Sequence, residues 1–139
     1  MGNSLIRFTV YGEAVPWKRP RFNGKTKAVF EKSEVKDFKK RVIEAYNKSG
    51  GKFFPKDVPL RVTIYVFMGV PASASEKKQR DLIRNHRPTK RPDNDNLYKG
   101  ITDALNKVAY YDDSQIVDTH IYKFWSGCPR VEVEIEDTE

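Results

Sequence analysis

Residues 60–68 read LRVTIYVFM, a run of β-branched and aromatic side chains that is typical of a β-strand and ends at Gly69. Upstream, Leu5–Tyr11 (LIRFTVY) alternates roughly between apolar and polar residues, which predicts a second strand. Downstream, residues 114–125 predict a third. In residues 131–136, valine and isoleucine alternate with glutamate, which predicts a half-exposed fourth strand at a sheet edge.

Three segments with helical periodicity separate these strands. The first begins with Ser33 as N-cap, ends before Gly50, and repeats apolar residues at Val35, Phe38, Val42 and Tyr46. Ser73 and Glu76 have the spacing of a capping box, which predicts a basic second helix, EKKQRDLIRN. The third helix carries a stripe of Leu97, Ile101, Leu105 and Val108. The order of elements predicts an α+β fold with a mixed β-sheet packed with helices, in one compact domain over residues 1–139.

Charge is distributed unevenly along the 139 residues. Residues 1–99 hold 23 Lys and Arg against 10 Asp and Glu, whereas residues 100–139 hold 3 against 9, for a net charge of +7. A basic body of this kind favours a polyanionic partner, most often nucleic acid. The single cysteine excludes an internal disulfide, and no apolar run is long enough to span a membrane. We therefore expect a cytoplasmic protein that does not bind membranes.

The segment RPDNDNLYKG, at residues 91–100, carries the chemistry. Asp93 and Asp95 lie two positions apart at the start of the third helix, so on an extended chain their carboxylates point the same way. Adjacent carboxylates repel each other unless a cation neutralises them, and hard oxygen ligands suit Mg²⁺ or Mn²⁺. Lys99 follows Asp95 by four residues and would share its helix face, where it could stabilise a phosphate in the transition state.

Simpler interpretations of these residues stay open. Asp93 or Asp95 could cap the helix, Lys99 could be an ordinary partner four residues along it, and Asp112 with Asp113 could belong to a turn. An EF-hand is excluded, because the sixth and twelfth positions from Asp93 are not Gly and Glu. No phosphate-binding glycine motif is present.

A basic and aromatic stretch near the N-terminus offers a nucleic-acid contact. In PWKRPRF, at residues 16–22, Lys18, Arg19 and Arg21 stand between Trp17 and Phe22. Cations interleaved with aromatic rings in a loop suit a phosphate backbone and an exposed base. The alternative is a solvated charge run whose aromatic residues pack into the core.

The residues at 91–118, RPDNDNLYKGITDALNKVAYYDDSQIVD, resemble the RusA-type crossover-junction endodeoxyribonucleases, the Holliday-junction resolvases of phages and prophages. The family pattern D-x-D-N-L-x-K, then D-A-L-N, then D-D-x-Q-[IV] is present in order. Residues 15–22 and the closing pair of strands extend the resemblance over nearly the whole chain. Asn94 departs from the pattern, since an apolar residue is frequent at that position.

The resemblance implies a RusA-like fold and a Mg²⁺-dependent site, with Mn²⁺ as an alternative ion. It implies Asp93, Asp95 and Asp113 as metal ligands and Lys99 as a further catalytic residue. It also implies a homodimer that resolves four-way DNA junctions in recombination and repair, by nicking two strands of like polarity symmetrically. We assign DNA contacts to Lys18, Arg19, Arg21, Lys90 and Arg91. A general nuclease of branched or flap DNA and a non-catalytic basic DNA-binding module are the alternatives.

The spacing of the implied ligands raises a geometric question. If residues 94–109 form one straight helix, it is about 24 Å long and separates Asp93 from Asp113. Either the helix is shorter and the chain turns back, or a partner subunit contributes part of the site.

Overall fold

The computed structural model describes residues 4–25 and 29–139, with Arg21 and Phe30 described by their main chain only. The helices are α1 (Ser33–Lys48), α2 (Glu76–Asn85) and α3 (Asn94–Leu105). The strands are β1 (Leu5–Tyr11), β2 (Arg21–Phe22), β3 (Val29–Phe30), β4 (Leu60–Gly69), β5 (Ile116–Ser126) and β6 (Arg130–Asp137). A short 3-10 turn, Asp113–Gln115, leads into β5.

The four long strands form one mixed sheet in the order β1-β6-β4-β5, which confirms the predicted α+β class. β4 and β5 run parallel, and the other neighbouring pairs are antiparallel. The β4–β5 pairing is regular from Arg61 and Asp118 onward, after a one-residue shift at Val117. The edge prediction for residues 131–136 is wrong, because β6 lies between β1 and β4. Their alternation instead reflects one buried and one open face of the sheet.

The buried face of the sheet packs against α1 and α3. Every second residue of β4, from Leu60 to Met68, is buried, and the apolar stripe of α1 lies on the same core. The rings of Phe8 and Tyr46 meet edge to face at 5.6 Å. Burial of each large apolar side chain contributes about 1.5–3 kcal/mol. This packing fixes α3, and with it the acidic motif, on the sheet.

Two predicted helix starts differ from the structure. α1 begins at Ser33 itself, and the N-cap is Lys32, which makes no side-chain capping bond. α2 is capped by Ser75 rather than Ser73, since the Ser75 hydroxyl accepts a bond from the amide of Lys78 at 3.1 Å. The start of α2 offers two serines, Ser73 and Ser75, and the sequence pattern alone does not choose between them.

Within the described residues, no helix combines the length and the apolar character that a membrane span requires.

Candidate active site

Asp93 and Asp95 lie at the exposed N-terminus of α3. Asp93 is the N-cap, with extended backbone, and its carboxylate makes no capping hydrogen bond. Asp95 lies in the first helical turn. Only Asp93 has extended backbone, so the two carboxylates do not lie on one extended segment. Two carboxylates at a helix N-terminus are favoured by the helix dipole, and both stay open to a ligand.

Lys123, on β5, holds the segment that leads into Asp93. Its ammonium group donates to the carbonyl of Lys90 at 2.7 Å and to that of Pro92 at 2.9 Å. The Lys90 ammonium group lies 5.3 Å from the ring of Trp125, and the Arg91–Pro92 peptide bond is cis. These contacts tie the entry to α3 to the sheet. No sequence motif identifies Lys123, whose only signal is a single cation in an aromatic strand segment.

Lys99 is held by Trp17. Its ammonium group lies 3.8 Å from the centre of the indole ring. The Trp17 amide donates to the carbonyl of Asn96 at 2.9 Å, which fixes the N-terminal loop along α3. Asp103, four residues further along α3, forms no ion pair with Lys99 within the described part of the chain.

Gly100 makes this approach of loop and helix possible. A Cβ atom there would lie 3.0 Å from the Val15 carbonyl oxygen and 3.2 Å from the Trp17 nitrogen. Both neighbours are main-chain atoms and cannot turn aside as a side chain could. A glycine inside a helix, normally a cost of roughly 1 kcal/mol, is thus a sequence signal for a close backbone contact.

The basic loop therefore joins the acidic motif in space. Lys18 forms an ion pair with Glu34 of α1, while Arg19 is exposed. The side chain of Arg21 lies outside the described residues. Lys90 and Arg91 are exposed beside Asp93. Four of the five cations assigned to DNA thus belong to segments next to the α3 N-terminus.

Asp113 lies beyond the other end of α3, in the 3-10 turn before β5. Asp112 caps this turn by accepting from the amide of Ser114 at 2.9 Å, as the turn interpretation predicts. Asp113 is not the capping residue of this turn. Its Oδ1 atom is buried and has no hydrogen-bond partner among the described residues. Burial raises the pKa of the Asp113 carboxyl. A side-chain hydrogen bond with Tyr110 and the charge of Lys107 lower this pKa, whereas the charges of Asp103 and Asp112 raise it.

Gln115 fixes the position of Asp113. Its side-chain amide donates to the carbonyls of Pro55 at 2.8 Å and Val58 at 3.1 Å. Its side-chain oxygen accepts from the amides of Tyr111 and Asp112. The glutamine of the D-D-x-Q pattern is therefore a buried brace.

The structure does not bring the three aspartates together in one chain. Among residues 4–25 and 29–139, no three His, Cys, Asp or Glu side chains lie close enough to bind one metal ion. α3 has 12 residues, shorter than the straight helix considered above, but still about 18 Å long. Each chain thus presents a carboxylate pair at one end of α3 and Asp113 beyond the other.

The donor chemistry nevertheless fits Mg²⁺. Carboxylate oxygens are the ligands this ion prefers, and it is often bound by one or two carboxylates together with waters and substrate phosphates. An unpartnered buried oxygen on Asp113 is costly unless some group outside the chain satisfies it.

Comparison with known proteins gives a consistent assignment. A family model described as Endodeoxyribonuclease RusA matches residues 12–136. The chain is 39% identical over 144 residues to the Uncharacterized protein YqaN of Bacillus subtilis (strain 168), covering 95% of this chain and 96% of that protein. It is 36% identical over 85 residues to the Crossover junction endodeoxyribonuclease rusA of Lactococcus phage r1t, covering 60% and 59%. The chain therefore belongs to the RusA endodeoxyribonuclease family.

Proposed function

We propose that this protein is a Mg²⁺-dependent endodeoxyribonuclease that resolves four-way DNA junctions by paired symmetric nicks, in DNA recombination and repair. It acts as a homodimer in the cytoplasm, and residues 1–139 form one RusA-like endonuclease domain. The family assignment supports the class of enzyme, and the site geometry supports the roles of individual residues.

The main support for this proposal is a difference between Asp112 and the aspartates Asp93 and Asp113. Asp112 caps a turn through its side chain. Asp93 is also an N-cap by position, yet its carboxylate makes no capping bond, and Asp113 has a buried oxygen without a partner. Capping therefore explains Asp112 alone, whereas the Asp93 carboxylate makes no capping bond and the Oδ1 atom of Asp113 has no partner among the described residues.

Each residue has a defined task in the reaction. Asp93, Asp95 and Asp113 would hold the cation. When bound, Mg²⁺ lowers the pKa of a water ligand and offsets the charge that develops on the phosphate. Attack of water on phosphorus breaks the bond to the 3′ oxygen, which leaves as a hydroxyl group, so the nicked ends carry a 5′ phosphate and a 3′ hydroxyl.

Lys99 would stabilise the transition state by its charge. Its contact with Trp17 is worth only about 0.5–1 kcal/mol at an exposed position, so the ammonium group is placed without being sequestered. Lys18, Arg19, Arg21, Lys90 and Arg91 would neutralise DNA phosphates around this site.

One cleavage assay tests the proposal. The protein is incubated with a four-way junction, a flap and a linear duplex of equal length, each with Mg²⁺ and with EDTA. We expect paired nicks in the junction only, with Mg²⁺ only. Equal cleavage of the flap would favour the general branched-DNA nuclease. Tight junction binding without cleavage in Mg²⁺ or Mn²⁺ would favour the non-catalytic module.

A further inference from the structure

α2 is a basic helix that lies at the surface beside β5. It has 10 residues, and none of them is fully buried. Its four cations are all exposed: Lys77, Lys78, Arg80 and Arg84. The helix therefore contributes little to the core, and its side chains mainly face solvent or a partner.

Three of these cations form the α2 stripe. Lys77, Arg80 and Arg84 follow each other at spacings of three and four residues, which places them on one face of the helix. Like charges at this spacing destabilise a helix. In addition, the 10 residues of α2 are fewer than the roughly 12–15 that an isolated helix requires. The stripe thus weakens the helix in the free chain, and an anionic partner would remove the repulsion.

The chain itself does little to neutralise the stripe. The one ion pair that α2 makes along this face joins Arg80 to Glu76 at 3.9 Å, and Glu76 is 93% exposed, so solvent screens the attraction. Among the described residues, Lys77 and Arg84 form no ion pair. The positive charge of the stripe is therefore available to a partner.

α2 ends near the carboxylates of the candidate active site. Just after the helix, the Arg87 guanidinium group donates to the carbonyl of Lys123 on β5 and lies 3.9 Å from the centre of the Phe124 ring. The ammonium group of the same Lys123 holds the carbonyl of Pro92, the residue before Asp93. One residue of β5 thus anchors both the exit from α2 and the entry to α3.

The composition of this part of the chain favours a phosphate backbone as the partner. Residues 75–92 hold seven Lys and Arg against two acidic residues. They contain no Phe, Tyr or Trp on which an unpaired base could stack. The stripe extends over about 10 Å of helix axis, a length over which duplex DNA carries about six charges.

We propose that the α2 stripe binds the phosphates of a duplex arm of the DNA that is cut at the N-terminus of α3. The placement of the cut rests on the proposed nuclease, whereas the contact itself needs neither metal nor cleavage. Because only phosphates are contacted, the arm is bound whatever its base sequence.

Charge removal tests the contact. Lys77, Arg80 and Arg84 are replaced together by alanine, which has the highest helix propensity and so retains the helix. The control variant has alanine at three exposed cations of α1: Lys36, Lys40 and Lys48. Binding to a four-way junction is measured in EDTA over a range of salt concentrations, and circular dichroism checks that helix content is kept.

We expect the α2 variant to bind roughly tenfold or more weakly, with a slope of log affinity against log salt that falls by about 2.7 for three lost phosphate contacts. The α1 variant should change both quantities by less than half as much. Equal changes in the two variants overturn the proposal. Unchanged binding by the α2 variant also overturns it, and would leave the stripe for an acidic protein instead.

Photocrosslinking tests which part of the DNA lies on α2. Lys77→Cys is made in a Cys128→Ser background, which removes the single native cysteine, and is labelled with benzophenone. Lys40→Cys on α1 loses the same charge and is the matched control. We expect Lys77→Cys to crosslink to paired nucleotides of an arm. Crosslinking at the level of the control, or only at the crossover point, overturns the proposal.

The two proposals can fail separately. If the α2 variants behave as expected but the wild type cuts no junction with Mg²⁺, only the proposed nuclease fails. If the wild type cuts junctions and the α2 variant binds them like its control, only the α2 contact fails.

Discussion

Asp95 has two possible roles that substitution can separate. A first-turn acidic residue stabilises a helix by up to about 1 kcal/mol through the dipole, whereas a metal ligand contributes a charge on which the reaction depends. Its exposed position at the start of α3 is compatible with both.

We expect Asp95→Asn to melt within a few degrees of wild type and to bind junctions at least as tightly, since phosphate repulsion falls. Cleavage should drop at least 10–100-fold, roughly the loss seen when even an outer partner of a metal ligand is removed. Asp37→Asn, which removes the same charge from the exposed surface of α1, is the control and should cut like wild type. Wild-type cleavage by Asp95→Asn would contradict a ligand role.

Lys123 should matter through its two hydrogen bonds rather than through DNA. We expect Lys123→Met to lower the free energy of unfolding by roughly 1–3 kcal/mol, because two carbonyls lose a charged donor. Amide hydrogen exchange at Leu97, whose amide donates to the Asp93 carbonyl at 3.1 Å, should accelerate. Lys48→Met on α1 serves as a control of equal charge, and unchanged exchange in Lys123→Met would contradict the brace.

At the scale of elements, the N-terminal loop and α3 form one unit. The loop lies along the helix through the Trp17–Asn96 hydrogen bond, and Gly100 leaves the space for it. The main chain that carries Lys18 and Arg19 thereby continues from the point where the loop bonds to α3.

Replacing Lys18, Arg19 and Arg21 by alanine should weaken junction binding. We expect the slope of log affinity against log salt to fall by roughly 0.9 for each lost phosphate contact. Alanine at Lys36, Lys40 and Lys48 on α1 removes the same charge elsewhere and should change the slope less. Equal changes in both triple variants would mean that the loop acts only through the net charge.

The sequence predicted the long strands and the three helices, because their periodicity is imposed by a core on one face of the sheet. It did not predict that β6 is a central strand. Alternation of apolar and polar residues shows which face of a strand is buried, but it does not show which strands pair with it. The acidic motif was placed correctly at the start of α3. The support by Lys123, Trp17 and Gly100 was not foreseen, because these contacts join residues far apart in the chain.

At the scale of the whole molecule, the described residues of one chain present the proposed ligands in two separate groups, Asp93 with Asp95 and Asp113 alone. A symmetric junction needs two cuts, and a two-fold dimer presents two equivalent sites to it. The sequence left open whether a shorter helix or a partner subunit resolves the distance. The structure has the shorter helix and still does not gather the three carboxylates.

Mixed dimers test whether subunits share a site. If they do, a dimer of one Asp93→Asn chain and one Asp113→Asn chain has one site with both changes and one intact site. We expect such mixtures to nick one strand of the junction, while each variant alone cuts neither. A mixture as inactive as its components would instead place each site within one chain.

The parallel alignment of β4 and β5 has a further consequence, for how the chain tolerates changes in length. Parallel neighbours require a long crossover, and here the 46 residues between the two strands contain α2, α3 and every proposed metal ligand. α2 buries none of its residues, and lengthening a flexible connection costs only about 0.6 kcal/mol per doubling. Insertions before α3 should therefore spare the sheet and alter only how substrate reaches the carboxylates, so this crossover is where relatives can diverge in specificity while the fold stays the same.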